Sequence, residues 1–343
     1  MQSSSSPKKI PLPFASEGDK REIPIPINPI PGAASYTDGF PPLTRLALSA
    51  GGIPPSGFDF NGVLNDITSA IRWANAGMGY TYDSAFSTAV SGYPKGAKLT
   101  KLSLDGVWLN TIEGNVSNPD TGGSGWVDMT AGRLINVRTF VATSIYTPTP
   151  GTKYVVVEVV GGGGAGGGAA ATGAGAVSVG SGGTAGSYGK GKYTSGFAGV
   201  TITVGAGGVE NAGETGGSGG QSSFGTLLIA PGGTGGIRKG PSSPTFGITG
   251  SSSGGAVLGA NIISAPGAPG GYSMAISLLG TVGGIGAASV FGGGGTLNVA
   301  GGNGGEGTAP GSGGAGAFQS ENKITALTGG RGAAGIVIVW EYS

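Results

Sequence analysis

The stretch YVVVEVVGGGGAGGG, residues 154–168, decides the fold of this chain. Its first half, Tyr154 to Val160, is rich in β-branched residues and predicts a strand. Its second half is almost pure glycine, the residue that loses most conformational freedom on folding. A second strand-like run, Ile336 to Tyr342, lies at the far end of the glycine-rich part. We therefore expect these two strands to share one sheet and to frame the chain between them.

Glycine is concentrated between these two runs. Residues 1–150 contain 17 of the 78 glycines, and residues 151–343 contain the other 61. Because glycine has no side chain to bury, backbone hydrogen bonds between closely packed chains must offset the cost of ordering it. Polyglycine-II helices have three residues per turn and leave their amides free to bond with neighbours. We expect an all-β domain with polyglycine-II segments, and further strands at 200–204 and 226–230.

The composition excludes several kinds of chemistry. The chain has no Cys and no His, so it has no disulfide, no cysteine–zinc site and no histidine base. A net charge of +1 gives no electrostatic reason to bind nucleic acid. No apolar run is long enough to insert in a membrane. Hydrophobic residues make up 38% and charged residues 10%, which opposes disorder.

Four parts are predicted, so the fold class is mixed. Residues 1–32 form a proline-rich extended arm, 33–130 a small α+β domain, 131–152 a linker and 153–343 the glycine-rich domain. In the arm, the alternation from Ile23 to Ile27 with proline between predicts an extended chain that is not a central strand. Two interpretations stay open: a strap across its own domain, or an arm that docks on another protein.

The α+β domain is predicted from local signals. A helix is expected from Phe58 to Ala76, capped by Asp59 or Asn61, and a shorter helix is expected after Asp83. A hairpin is expected over 98–110. The domain holds three of the four tryptophans, which we expect mostly in its core: Trp73, Trp108 and Trp126.

The sequence gives little support for phosphate binding, hydrolysis or metal binding. The glycine run after Val160 fits a phosphate-binding loop only loosely, and no helix pattern follows it. The glycine-rich part has few carboxylates and no aspartate, so a hydrolase with paired carboxylates is not expected. Asn118, Asp120 and Asp128 have oxygen ligands but not the spacing of a known calcium loop. We expect no catalytic residue, no metal and no cofactor.

Two sets of sequence blocks resemble those of bacteriophage tail-fibre proteins. The first set is similar to the virion-proximal region of such fibres: 13–15, 18–20, 39–42, 51–55, 59–62, 71–73, 93–96 and 125–127. The second set is similar to their distal glycine-rich domain: 138–140, 146–148, 155–164, 204–208, 222–225 and 335–341. More loosely, the chain resembles the polyglycine-II receptor-binding adhesin of T-even-like phages.

The resemblance implies a structural fibre in the phage tail of the virion, made in the host cytoplasm. Its N-terminal region would attach to phage tail proteins, and its glycine-rich domain would bind a bacterial surface receptor, an outer-membrane protein or a polysaccharide. It also implies a homo-oligomer such as a trimer, although the sequence offers no heptads or triple-β-helix repeat that would set the number of copies. The alternatives are a tail connector or plug without receptor contact and, as a minor one, a polysaccharide depolymerase.

Adhesion needs exposed aromatic and polar groups on a rigid scaffold. Three loops offer them: 236–249, 266–274 and 287–298. The candidate receptor-binding residues in these loops are Arg238, Lys239, Phe246, Tyr272 and Phe291, although each aromatic side chain could instead fill a gap in the core. Phe197 and Phe224 flank predicted strands and are expected in the core. The candidate virion-attachment residues are Pro11, Pro13, Phe14, Ile23, Ile25 and Ile27.

Overall fold

The computed structural model describes residues 6–297 and 301–343. The chain divides into two compact units, with the boundary between Thr130 and Ala131. The fold is mostly β, with a small helical region near the N-terminus and several antiparallel sheets, as the sequence predicts.

The first unit has two α-helices and one small sheet. Its helices are α1 (Gly57–Asn75) and α2 (Ser84–Ala89), and single 3-10 turns lie at Pro42–Arg45, Leu48–Ala50 and Pro119–Thr121. Its strands are β1 (Lys98–Thr100), β2 (Val107–Asn110) and β3 (Trp126–Asp128). They form an antiparallel sheet in chain order, and the pairing of β1 with β2 confirms the predicted hairpin.

Side-chain caps set where the helices begin. The Ser56 hydroxyl accepts a hydrogen bond from the Phe58 amide at 3.2 Å, so α1 starts earlier than predicted, and neither Asp59 nor Asn61 is its cap. Asp59 is instead buried and accepts from the Ala34 amide at 2.9 Å. For α2 the predicted cap is confirmed, since the Asp83 carboxylate accepts from the Phe86 amide.

The arm packs along α1 of its own unit. The Arg21 amide donates to the Phe58 carbonyl at 3.0 Å, and the Phe14 amide donates to the Thr68 hydroxyl at 2.8 Å. Ile23 is buried against Gly62, where a Cβ atom would overlap the carbonyl oxygen of Arg21. Glycine in α1 therefore allows the arm to approach the helix backbone, and the strap interpretation describes residues 14–23 of the arm.

The first unit buries few apolar side chains. The buried apolar residues are Ile23, Ala33, Ala34, Tyr93 and Leu99. The expectation that the tryptophans lie in the core is wrong, because Trp73 is 42% exposed and the other two are half-buried. One long helix and three strands of three or four residues do not enclose a core large enough to cover them.

The second unit contains fifteen strands among its described residues. They are β4 (Leu134–Phe140), β5 (Ser144–Ile145), β6 (Tyr154–Val160), β7 (Val177–Gly180), β8 (Tyr188–Tyr193), β9 (Thr201–Thr203), β10 (Ser222–Phe224), β11 (Leu228–Ala230), β12 (Arg238–Ser242), β13 (Phe246–Ile248), β14 (Ile263–Ala265), β15 (Ser273–Ala275), β16 (Thr281–Val282), β17 (Phe318–Gln319) and β18 (Ile336–Tyr342).

The two framing strands are neighbours in one sheet. β6 and β18 pair antiparallel along their whole length within a five-stranded sheet of order β14-β8-β6-β18-β4, which confirms the prediction. The predicted linker at 131–152 is not a linker, because β4 forms the edge strand beside β18. Phe140, the last residue of β4, also packs against the core of this unit.

The core of the second unit lies between this sheet and a four-stranded one of order β11-β10-β9-β5. Alternate valines of β6 and β18 point inward and are fully buried, as a period of two requires. Phe197 and Phe224 lie in this cluster, as predicted. The strands predicted at 200–204 and 226–230 are present as β9 and β11, each shorter than expected.

The glycine-rich segments form a hydrogen-bonded lattice. In the central segment, residues 161–169, every third amide donates to the same neighbour: those of 161, 164 and 167 to carbonyls of 187, 184 and 181. The amides of 162, 165 and 168 donate to segment 214–220, and those of 163, 166 and 169 to segment 327–333. The segment thus has three residues per turn, and successive amides bond to different neighbours. This is the polyglycine-II pattern that we predicted.

The carbonyl groups of the central segment complete a shell of six neighbours. They accept from amides of residues 233 and 236, of residue 208, and of residues 314 and 317. All nine residues, 161–169, are buried. A Cβ atom on most of these glycines would lie closer to a neighbouring backbone than real Cβ contacts allow. The absence of side chains is therefore what permits the lattice to form.

Candidate receptor-binding surface

Each lattice segment runs between two ends of the second unit. Segment 181–187 follows β7 and precedes β8, so β7 marks one end of the lattice and β8 the other. The end with β8 carries the five-stranded sheet, and we call the end with β7 the tip. The loops at the tip are held by the backbone hydrogen bonds of the segments on either side of them.

Two tip loops combine into a three-stranded antiparallel sheet. β13 comes from the loop after segment 231–237, while β15 and β16 form a hairpin after segment 267–271. The register pairs Phe246 with Ala275 and Met274 with Val282. Along β15, Ser273 and Ala275 are buried and Met274 is exposed, so one face of this sheet points to solvent.

An apolar patch covers the hairpin. Its members alternate along β15, lie opposite on β16 or occupy the turn, and we call them the tip surface: Tyr272, Met274, Ile276, Leu279 and Val282. Tyr272 is 69% exposed and Leu279 is 84% exposed. The Ser277 hydroxyl accepts from the Gly280 amide at 2.7 Å and holds the turn that presents Leu279.

Three of the candidate binding residues are already engaged within the unit. The Arg238 guanidinium lies 3.7 Å from the carboxylate of Glu214, and the ammonium of Lys239 lies 5.2 Å from the centre of the Phe246 ring. Phe246 packs against a buried cluster that includes Val179. Its ring therefore fills a gap in the core, which is the alternative that the sequence left open.

Tyr272 and Phe291 lie in different places. Tyr272 belongs to the tip surface, next to β15. Phe291 contacts Tyr188 edge to face, with ring centres 6.2 Å apart, and Tyr188 begins β8. The seven residues of segment 181–187 separate β8 from the tip, roughly 20 Å at the polyglycine-II rise. Asn298, the last residue of the third predicted loop, lies outside the described residues.

Four members of the tip surface were missed by the sequence analysis. Met274, Ile276, Leu279 and Val282 are aliphatic, and the search for adhesion residues considered aromatic and charged side chains. A usable signal was present: residues 272–282 carry few glycines between two glycine-rich segments, with apolar residues at alternate positions.

The candidate attachment residues of the arm divide into two groups. Ile23 is buried and Pro13 half-buried, so both take part in packing within the unit. Pro11 and Phe14 are exposed, and Ile25 and Ile27 are 76% and 64% exposed. The arm thus keeps two isoleucines in solvent although it lies along α1.

Several charged side chains of the second unit form ion pairs with one another. Lys190 lies 2.8 Å from Glu158, and Arg331 contacts Glu210. In residues 6–297 and 301–343, no group of three or more His, Cys, Asp and Glu side chains could hold a metal ion. Within the same ranges, no helix has both the length and the apolar character needed to cross a bilayer.

Comparison with known proteins identifies one family. The sequence profile described as a glycine-rich domain matches residues 138–342 of this chain. No curated protein shows significant similarity to it. The match begins inside β4 and ends at the last residue of β18, so it covers the five-stranded sheet, the lattice and the tip.

Proposed function

The chain belongs to the glycine-rich domain family, and from that premise we propose that it is a structural phage tail fibre. In this proposal the glycine-rich unit binds a receptor on the bacterial surface, and the first unit attaches the chain to the virion tail. The resemblance of both units to tail-fibre blocks motivates the assignment.

The observation that carries the proposal is an exposed apolar patch on a rigid support. Leu279 and Ile276 lie on a two-stranded hairpin, and isolated hairpins of this size are marginally stable in water. Here the hairpin continues directly into segments 267–271 and 283–287, which are hydrogen-bonded into the lattice. A pre-ordered apolar surface binds with less loss of entropy than a flexible loop does.

The receptor class that fits this surface is a protein with an apolar pocket, such as an outer-membrane protein. The five side chains of the tip surface carry no charge and one hydroxyl, that of Tyr272. A polysaccharide presents many hydroxyl groups, and its recognition needs matching polar groups. The exposed isoleucines of the arm, Ile25 and Ile27, supply the contact that we propose for the virion tail.

The test is binding of the labelled full chain to a panel of bacterial strains by flow cytometry. We expect Leu279→Asp together with Ile276→Asp to reduce binding at least tenfold, because each places a charge in an apolar contact. The matched control is Val141→Asp, which changes an exposed apolar residue between β4 and β5. If the wild-type chain binds no strain, or the tip variant binds as the control does, receptor binding by the tip is rejected.

The connector alternative predicts a different pattern. If the chain only joins other tail proteins, the tip variant changes neither adsorption nor infectivity of particles that carry it. Loss of the chain from particles would then follow from Ile25→Asp with Ile27→Asp, and not from the tip variant.

A further inference from the structure

A groove of about 460 Å³ runs along the lattice of the second unit. Its floor is formed by segment 283–288, and its walls are formed by segments 267–271 and 293–297. The apolar side chains of Ile285 and Leu297 line it, and none of the described residues around it carries a charge. We call this feature the lattice groove. No residue of the tip surface lines it.

The floor of the lattice groove has fewer partners than the central segment of the lattice. The central segment has neighbours on six sides. Among the described residues, backbone hydrogen bonds join the floor to four segments only: 181–187, 267–271, 293–297 and 311–317. The packing of the lattice is therefore incomplete on this side. A further chain in the lattice groove would continue an interface that the molecule already uses between its own segments.

Two backbone amides of the floor are left without a protein partner. Within residues 6–297 and 301–343, the amides of Ile285 and Ala288 donate to no group. Both residues line the groove, Ile285 is 53% exposed, and Ala288 is exposed as well. They are three residues apart, which is one turn and about 9 Å at the polyglycine-II rise. An occupant that satisfies both amides must offer carbonyl groups with the same period.

A proline-rich chain in the polyproline-II conformation meets this requirement. It also has three residues per turn, and its carbonyl groups are free to accept hydrogen bonds from a partner. Proline has no amide that would need an acceptor, and its ring is apolar, as are the side chains of Ile285 and Leu297. A glycine-rich chain has the same period, but it loses more conformational freedom and leaves the apolar side chains uncovered. Polyproline-II segments are pre-ordered, and apolar grooves recognise them for this reason.

From these observations we infer that the lattice groove binds a proline-rich segment of a partner protein in the polyproline-II conformation. The amides of Ile285 and Ala288 donate to two carbonyl groups of the segment that are one turn apart. The side chains of Ile285 and Leu297 pack against its proline rings. This gives the glycine-rich unit a second binding site besides the tip surface.

The test is fluorescence anisotropy of a labelled oligoproline of about nine residues, or three turns, titrated with the full chain. We expect saturable binding. Ile285→Pro should weaken it about tenfold, because the substitution removes one of the two donors. The variant keeps an apolar residue at this position, and proline has the φ angle of the polyglycine-II conformation. Near-ultraviolet circular dichroism checks that its fold is unchanged.

The matched control is Val209→Pro. Val209 is 63% exposed, lies in the lattice outside the groove, and has an amide that donates to no described group. Its carbonyl accepts from the Gly217 amide, as the carbonyl of Ile285 accepts from the Gly271 amide. We expect this control to bind oligoproline as the wild type does. Absence of saturable binding by the wild type, or equal binding by the two proline variants, overturns the inference.

A second variant does not alter the backbone. Ala288→Glu places a charge in the lattice groove at an exposed position, so it should weaken oligoproline binding and leave the fold intact. A glycine–serine peptide of the same length should bind more weakly than oligoproline does. Unchanged binding by Ala288→Glu, or equal affinity for the two peptides, contradicts recognition of a proline-rich segment.

Neither result depends on receptor binding. The groove variants leave the five side chains of the tip surface unchanged, and the tip variants leave the lattice groove unchanged. Binding of each set to bacteria and to oligoproline therefore shows which of the two proposals fails.

Discussion

Gly163 shows why single residues matter in the lattice. A Cβ atom at this position would overlap the carbonyl oxygen of Ser312, and its segment has neighbours on six sides. We expect Gly163→Ala to destabilise the second unit by about 1–3 kcal/mol, since the added methyl group overlaps backbone atoms and not the end of a flexible side chain.

The control for this prediction is Gly173→Ala, where a Cβ atom would meet no atom within 4 Å. We expect the control to change the unfolding free energy by less than about 0.5 kcal/mol. Urea unfolding followed by near-ultraviolet circular dichroism measures both. Similar small effects in the two variants would show that the lattice is looser than its hydrogen bonds indicate.

A buried polar pair holds the framing strand β18 to Tyr146, the residue that follows β5. The fully buried Tyr146 hydroxyl donates to the carboxylate of Glu341 at 2.7 Å, and Arg138 lies 3.9 Å from the same carboxylate. Burial, reinforced by Glu341, raises the pKa of Tyr146, so the phenol stays protonated as a donor.

Tyr146→Phe removes this donor and leaves the buried carboxylate with fewer partners. We expect a loss of about 1–3 kcal/mol in unfolding free energy, the cost of an unsatisfied buried group. Tyr272→Phe, which removes an exposed hydroxyl, serves as the control. Chemical denaturation of both variants decides the question, and an equal response would mean that water replaces the lost donor.

At the scale of elements, the central segment should behave as regular structure although it is neither helix nor strand. Each amide of residues 161–168 donates to another segment. We expect these amides to exchange with solvent far more slowly than those of the hairpin turn at 277–280, because exchange requires opening of the lattice. Hydrogen-exchange mass spectrometry measures this, and fast exchange across 161–168 would refute the lattice.

Strands and segments with a distinctive local composition could be predicted from the sequence. Strands that form only because a neighbouring strand pairs with them could not. The β-branched runs at β6 and β18 indicate strands by themselves, and glycine alone predicted polyglycine-II packing. β4, by contrast, has mixed composition and is a strand because β18 pairs with it. For Phe246 the sequence left a receptor contact and a gap-filling role open, and the packing of the tip sheet places its half-buried ring against a core cluster.

For α1 the sequence predicted the helix and not its surroundings. Leu64, Ile67 and Ile71 repeat at helical spacing whether they face a core of their own chain or another copy. In the structure these three side chains are between 38% and 49% exposed, so they are not part of a core.

At the scale of the whole molecule, composition and structure divide the chain at different points. Glycine content changes near Gly151, whereas the second unit begins at Ala131. The difference arises because β4 and β5 are poor in glycine yet pair with strands that lie beyond residue 153. A composition profile does not register such pairing across more than fifty residues.

The stability of the molecule should be insensitive to pH near neutrality. The chain has no histidine, and the shifted groups titrate at the extremes. For Asp128, burial alone would raise the pKa, but hydrogen bonds from Lys101 and Thr130 outweigh it and lower the pKa to about 2. Its contribution is present above about pH 4 and is lost as the pH falls towards 2.

At high pH, ionisation of buried tyrosines lowers the stability of the second unit. Burial raises the pKa of Tyr193, and of Tyr188 with added repulsion from Glu158, to about 12 in both cases. Their contribution is present below about pH 10 and is lost as the pH rises towards 12.

The urea concentration at the unfolding midpoint should therefore be constant near neutral pH and fall on both sides. The acid limb of this curve lies towards pH 2 and the alkaline limb towards pH 12. Lys101→Met should move the acid limb to higher pH and leave the alkaline limb unchanged, because it removes the cation that holds the Asp128 pKa low. A change of more than about 1 kcal/mol between pH 6 and 8 would reveal a titrating group that these shifts do not include.

The adjacency of β6 and β18 also bears on how such a chain can change over generations. Tyr154, the first residue of β6, and Tyr342, the last residue of β18, stack with ring centres 4.9 Å apart. The chain therefore enters and leaves the lattice through two adjacent strands. Exchange of the segment from β6 to β18 by recombination would keep its two ends adjacent, but it would also have to preserve the pairing of β18 with β4 and of β9 with β5. Within this segment, an exposed hairpin side chain such as that of Leu279 points into solvent, whereas one added methyl group at Gly163 overlaps the backbone of Ser312. The same scaffold therefore tolerates substitution at exposed hairpin residues and resists it at the glycines of the lattice.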